Sequence, residues 1–199
     1  VNQLSQIKDL RVVSSTSVLP YLEKPDKIIG EKLSCSFILN GYLHVEGDKM
    51  NLILNLVNAE DESLLKTFNY MKELKNRIEL PRIIAYSVAK ELDIELSNAD
   101  KNRIEKIPTL NLTAYDLFQR GREEHLTYWA NNNKTEALEA AEGFYSKALE
   151  YDSTFARAYT GLAMVYWDKN HWSNHSQNNF LDTLEVLANK AFYFDPELS

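Results

Sequence analysis

The residues of this sequence best suited to chemistry are two neighbouring histidines. His171 and His175 lie four residues apart, a spacing that places two metal ligands on one face of a helix. The segment around them has no helical apolar pattern and no acidic third ligand nearby, so a solvated loop is the favoured interpretation. His44 and His125 are expected to be surface or packing histidines. The sequence therefore predicts neither a metal site nor a cofactor.

The carboxylate runs and the serine-rich segment also lack the pattern of a catalytic site. Acid–base catalysis needs carboxyl groups held in different environments inside a cleft, whereas Glu123-Glu124 and residues 60–62 look solvated. The serines of residues 14–17 have none of the flanking glycines of a nucleophile elbow. The six glycines are scattered and form no phosphate-binding loop. We expect this chain to have no catalytic activity of its own.

Composition and charge restrict the class of protein further. The chain has 199 residues, 44% of them hydrophobic, which is enough for one large domain or two small ones. Its net charge of -7 has the wrong sign for binding a phosphate backbone, so direct nucleic-acid binding is not expected. Cys35 is the only cysteine, which excludes an intramolecular disulfide. No run reaches the roughly 18 apolar residues of a membrane-spanning helix, so we expect no membrane insertion.

The first half of the chain predicts helices around one sheet. The β-branched run Leu10 to Val13 predicts a short strand, and Pro25-Asp26 carries the start signals of a helix. Apolar and polar residues alternate from Phe37 and again from Met50, on either side of the turn at residues 46–49. This pattern predicts an antiparallel hairpin.

Two more elements complete this half. Residues 64–70 can add a third strand, and Pro81 suits the first turn of a further helix. Asn40-Gly41 is a common turn sequence, but the alternation on both sides predicts that Gly41 lies inside a strand, at a possible bulge.

The order of these segments resembles the TolB amino-terminal-like domain. The resemblance rests on residues 4–14 and 16–17, on the hairpin opening at residues 37–41 and on the helix at residues 85–92. It implies an α+β or α/β domain over residues 1–97, with a mixed sheet, an antiparallel hairpin and flanking helices. The family begins with one more strand and a full first helix, so we expect this chain to start inside the domain.

Residues 98–109 are interpreted as a linker, and a repeat follows over residues 110–199. Ser97 and Asp100 have the spacing of a capping box at a short polar helix, which Pro108 ends. Residues 147–153 and 190–196 align without a gap, 43 residues apart. A plain tetratricopeptide repeat has a period of about 34 residues, which implies an insertion of about nine. The matching positions are Leu117, Gly121, Ala141, Tyr145 and Ala148 in the first copy, and Tyr159, Leu162, Ala163, Tyr166 and Pro196 in the second.

The first helix of each repeat, at residues 113–129 and 155–169, is predicted to line a binding groove. The small and aromatic positions Ala148, Tyr159, Ala163 and Ala191 are expected to be buried at helix contacts. The insertions are expected between the helices of each pair, at residues 129–135 and 169–179. Trp172, in the second insertion, should project from the rim of the groove or fold back on its own repeat. Trp167 is a second candidate for an exposed contact. The predicted partner-binding residues are Arg120, Glu124, Tyr128, Arg157, Thr160, Met164 and Trp172.

The resemblance to both families implies a regulatory role. TolB amino-terminal-like domains lie between an output domain and tetratricopeptide repeats in adenylate-cyclase-like proteins and winged-helix regulators. The main hypothesis is therefore a non-catalytic protein-interaction module of a bacterial signalling or transcription-regulatory protein. The alternatives are the regulatory half of a nucleotide cyclase and a small-ligand sensor with a pocket between the two domains. Self-association stays open, both ends are expected to continue in a longer protein, and a cytoplasmic location is expected unless a membrane helix precedes the chain.

Overall fold

The computed structural model describes residues 3–130, 134–171 and 180–198. The chain divides into two compact units, Val1–Lys106 and Ile107–Ser199. The first unit combines helices with a sheet and the second is helical, as the sequence predicted at the level of fold class.

The sheet of the first unit has three antiparallel strands in the order β1-β2-β3. The predicted hairpin and third strand are confirmed, and the described residues contain no parallel strand, so the expected mixed sheet is absent from them. Gly41 pairs with Leu54 in unbroken register, and a Cβ at this position would lie 2.0 Å from the carbonyl oxygen of Ile53. The irregularity in pairing falls instead at Leu56/Val57. The strands are β1 (Phe37–Glu46), β2 (Lys49–Asn58) and β3 (Leu64–Glu73).

The described residues of the first unit also form four α-helices and three short 3-10 helices, Leu4–Gln6, Leu19–Tyr21 and Leu74–Glu79. The helices predicted from Asp26 and around Pro81 are confirmed, whereas the strand predicted at Leu10 to Val13 is wrong. The three strands pair only with one another, so residues 10–13 have no strand partner among the described residues. Leu10 packs instead against a core formed by helices. The helices are α1 (Ser15–Val18), α2 (Asp26–Leu33), α3 (Leu80–Glu91) and α4 (Asn98–Glu105).

Helix α4 belongs to the first unit, although its residues were interpreted as part of a linker. The predicted capping box is present, since Ser97 Oγ accepts from the amide of Asp100 and the Asp100 carboxylate accepts from the amide of Ser97. Ile104 is fully buried in a core shared with Ile7, Ala85 and Ala89. Packing therefore extends the first unit to Lys106, where the division between the units falls.

The second unit consists of two helical hairpins with a shared core. The ring of Tyr145 lies against two glycines: an added Cβ would come within 2.7 Å of its atoms at Gly121 and at Gly161. Ala148, Tyr159 and Ala191 are buried as predicted, whereas Ala163 is only half-buried. The glycines allow the aromatic ring to fill the space between helices. The four helices are α5 (Leu112–Ala130), α6 (Thr135–Tyr151), α7 (Ala156–His171) and α8 (Phe180–Phe194).

Candidate binding surface on helices α5 and α7

Helices α5 and α7 are joined by a buried polar pair. His125 Nε2 lies 2.6 Å from Asp168 Oδ2, and the two side chains are 10% and 7% exposed. Burial raises the pKa of the Tyr128 phenol, and the nearby negative charge of Asp168 raises it further. The two helices are thus neighbours.

The outward face of α7 carries a stripe of four residues at steps of three and four. Arg157, Thr160, Met164 and Trp167 follow this spacing, which keeps side chains on one face of a helix. Met164 is 57% exposed and Trp167 is 45% exposed, while Arg157 and Thr160 are half-buried. The three residues predicted on α7 therefore share one accessible face, and Trp167 extends it. We call these four residues the α7 stripe.

The residues predicted on α5 do not form such a stripe. Arg120 is exposed, Glu124 is half-buried and Tyr128 is only 3% exposed. At 3.6 residues per turn, each step of four advances the position by about 40° beyond a full turn, so the third residue of this set rotates into the core. Tyr128 is therefore a core residue, which corrects its prediction as a binding residue. The guanidinium of Arg120 lies over the ring of Phe144, 5.9 Å from its centre.

Arg122 on α5 lies close enough to Arg157 on α7 for their charges to interact. The sequence analysis did not connect these two residues. Burial lowers the pKa of the Arg157 guanidinium, Arg122 acts in the same direction, and Asp195 and Tyr115 oppose them. The Nη1 atom of Arg122 donates to Gln119 Oε1 at 3.2 Å. Arg122 could have been found from its position, because it is three residues before His125 and lies beside the buried side of the helix. Arg157, the first residue of the α7 stripe, therefore has both an acidic and a basic side chain in its surroundings.

Several other residues considered in the sequence analysis have structural roles or are exposed to solvent. Ser14 caps α1, because its hydroxyl accepts from the amide of Ser17 at 3.2 Å. Residues 60–62 and Glu123 are exposed, in agreement with their interpretation as solvated carboxylates. His44 is exposed on β1. The side chains of His171, Trp172 and His175 lie outside the described residues, so their predictions stay untested.

The described residues contain no group of three or more histidine, cysteine or acidic side chains arranged to hold a metal ion. None of their helices has both the length and the apolar character needed to cross a membrane.

In comparisons with known proteins, no protein-family model matches this chain. No curated protein matches it either.

Proposed function

We propose that this chain is a non-catalytic protein-interaction module, and that its helical unit binds a segment of a partner protein on the surface of α5 and α7. The single observation that supports this function best is the α7 stripe, which presents a methionine and a tryptophan to solvent on one face. The regulatory part of the proposal, in bacterial signalling or transcription, rests on the resemblance of the sequence to the TolB amino-terminal-like domain and to tetratricopeptide repeats.

The chemistry of the stripe suits recognition of a peptide with apolar side chains. A methionine side chain is flexible and polarizable, so it adapts to partners of different shape. Tryptophan and arginine are the residues that most often dominate the binding energy of protein interfaces. Trp167 and Met164 can bury apolar side chains of a partner. We therefore expect the bound segment to carry an apolar anchor residue.

The proposal is tested with peptides selected from a random library displayed on phage, with the intact chain as the target. Affinities of labelled peptides are then measured by fluorescence anisotropy. Trp167→Ala should weaken binding by about 2 kcal/mol, the scale of an interface residue that dominates binding. The matched variants are Met164→Ala and Met71→Ala, since Met71 is 75% exposed but lies on β3 of the other unit. Met164→Ala should weaken binding and Met71→Ala should not; equal affinities for all three variants would contradict the proposal.

A further inference from the structure

An asparagine on the central strand of the sheet lies between a histidine and a methionine. Asn51 on β2 pairs with His44 on β1 and with Met71 on β3. Residues directly opposite each other in an antiparallel sheet have their side chains on the same face, so these three side chains form one row across the sheet. Met50 precedes Asn51, is 3% exposed and belongs to the opposite face. We call His44, Asn51 and Met71 the His–Met row.

The His–Met row lines an open cavity in the first unit. All three residues border a cavity of about 480 Å³ close to the turn between β1 and β2. Met71 is 75% exposed, and His44 is also exposed. An ion in solvent can therefore reach both outer side chains of the row.

The central residue of the row has a hydrogen-bond acceptor without a donor. The Oδ1 atom of Asn51 is shielded from solvent and accepts no hydrogen bond from the described residues. Buried acceptors in folded proteins almost always have a partner, because an unpaired one is unfavourable. A cation held between the two outer side chains would lie beside this oxygen, and amide oxygens interact favourably with cations.

We propose that the His–Met row binds a soft monovalent metal ion, Cu(I), through a ring nitrogen of His44 and the thioether sulfur of Met71. Neighbouring strands lie about 4.8 Å apart, so the backbones of these two residues are separated by roughly 10 Å. Metal bonds to nitrogen and sulfur are about 2.0 to 2.3 Å long, which requires the two donor atoms to lie about 4 Å apart. Both side chains are long enough to approach each other across Asn51 and reach this separation.

The donor atoms decide which ion fits this row. Thioether sulfur and imidazole nitrogen both suit Cu(I), whereas Mg²⁺ and Ca²⁺ prefer oxygen ligands. A structural zinc site takes four ligands, typically thiolate, imidazole or carboxylate, and the row does not supply such a set.

The charge around the cavity also favours a monovalent ion. Two acidic and two basic side chains border it: Glu46, Glu73, Lys49 and Lys72. Glu73 is in addition 2.5 Å from the Nζ of Lys75. The carboxylates are thus balanced by ammonium groups, which leaves little attraction for a divalent cation.

The test uses Ag(I) as the probe, a soft monovalent ion that, unlike Cu(I), needs no reductant. The chain has three methionines, so labelling their methyl groups with ¹³C gives three NMR signals. Titration of the intact chain with Ag(I) should shift the Met71 signal until it saturates. The matched internal control is Met164, which is 57% exposed on α7 of the second unit, and its signal should stay unchanged over the same range.

Two variants show whether the histidine and the methionine act together. His44→Ala should weaken Ag(I) binding at Met71 by about tenfold or more, because one of the two donors is lost. Met71→Leu, which keeps the size of the side chain, should abolish the shift of the His44 ring signals. The control variant is Tyr42→Ala, on the same face of β1 and 62% exposed, and it should leave the affinity unchanged. Metal bound by the thiol of Cys35 would not make the Met71 signal depend on His44.

The possible outcomes separate a built site from metal bound by single side chains. Cu(I), added without oxygen and with excess ascorbate, should reproduce the Ag(I) shift of the Met71 signal. The proposal is overturned if this signal does not saturate or does not respond to Cu(I). It is equally overturned if the signal responds alike in His44→Ala, or if it moves in parallel with the Met164 signal.

Discussion

Replacing Gly161 with alanine tests the contact on which the packing of the second unit depends. A Cβ at Gly161 would lie 2.7 Å from Cζ of Tyr145, and a Cβ at Gly121 would lie 2.7 Å from Cδ1 of the same ring. Tyr145 is only 2% exposed, so its ring cannot move aside into solvent. We therefore expect Gly161→Ala to destabilise this unit, although alanine is the better helix former.

The magnitude follows from two opposing effects. Alanine in place of glycine inside a helix stabilises by about 1 kcal/mol. Overpacking a filled core costs about 1 to 3 kcal/mol. At Gly143 on α6 an added Cβ meets no atom within 4 Å, so only the first effect applies there. Gly161→Ala should therefore leave the unit about 1 to 3 kcal/mol less stable than Gly143→Ala does.

Urea unfolding followed by tryptophan fluorescence measures this difference. All three tryptophans, Trp129, Trp167 and Trp172, lie in the second unit, so the signal reports on that unit alone. In a Tyr145→Leu background the overpacking disappears, and Gly161→Ala should then be neutral or stabilising. If Gly161→Ala in the unchanged background raised the urea midpoint as much as Gly143→Ala, the close packing of the Tyr145 ring would be refuted.

Two further predictions concern buried polar groups. His125→Ala should lower the free energy of unfolding of the second unit by about 1 to 3 kcal/mol, because it leaves Asp168 buried without this partner. Asp168→Asn should lower that free energy by less. Equal urea midpoints for His125→Ala and the unchanged chain would contradict this prediction. In the first unit, the Ser97 hydroxyl, together with the Lys8 amide and Arg103, lowers the pKa of the Asp100 carboxyl to about 2. A lowered pKa in the folded state means stability that is present above the ordinary value near 3.8 and is lost as the pH falls toward 2. The protection of the α4 amides, measured as the ratio of the intrinsic to the observed exchange rate, should therefore fall over this range. Asp100→Asn should remove that dependence, and an unchanged pH profile in the variant would refute the assignment.

The parts of the fold predicted correctly are those with strong local signals. Alternation over residues 37–56 placed the hairpin, because one face of a half-buried strand must be apolar. Pro25 and Pro81 marked helix starts, and the capping box at Ser97 predicted α4. The repeat pattern placed α5 and α7, which were expected at residues 113–129 and 155–169.

The parts predicted wrongly depend on contacts far apart in the chain. A β-branched run such as Leu10 to Val13 forms a strand only where a neighbouring strand can pair with it, and the sequence does not show whether one is present. The linker interpretation missed that Ile104 completes a core with Ile7, 97 residues earlier. On α5, steps of four identified an exposed arginine and a buried tyrosine as one stripe, because the direction of the neighbouring helix was unknown.

The measurement that tests the proposed binding surface most directly is hydrogen exchange of the chain with and without a library-selected peptide. Binding on α5 and α7 predicts slower amide exchange at residues 157–167, centred on Met164 and Trp167. Protection confined to residues 136–150 or 180–194, or to the first unit, would contradict the proposed function.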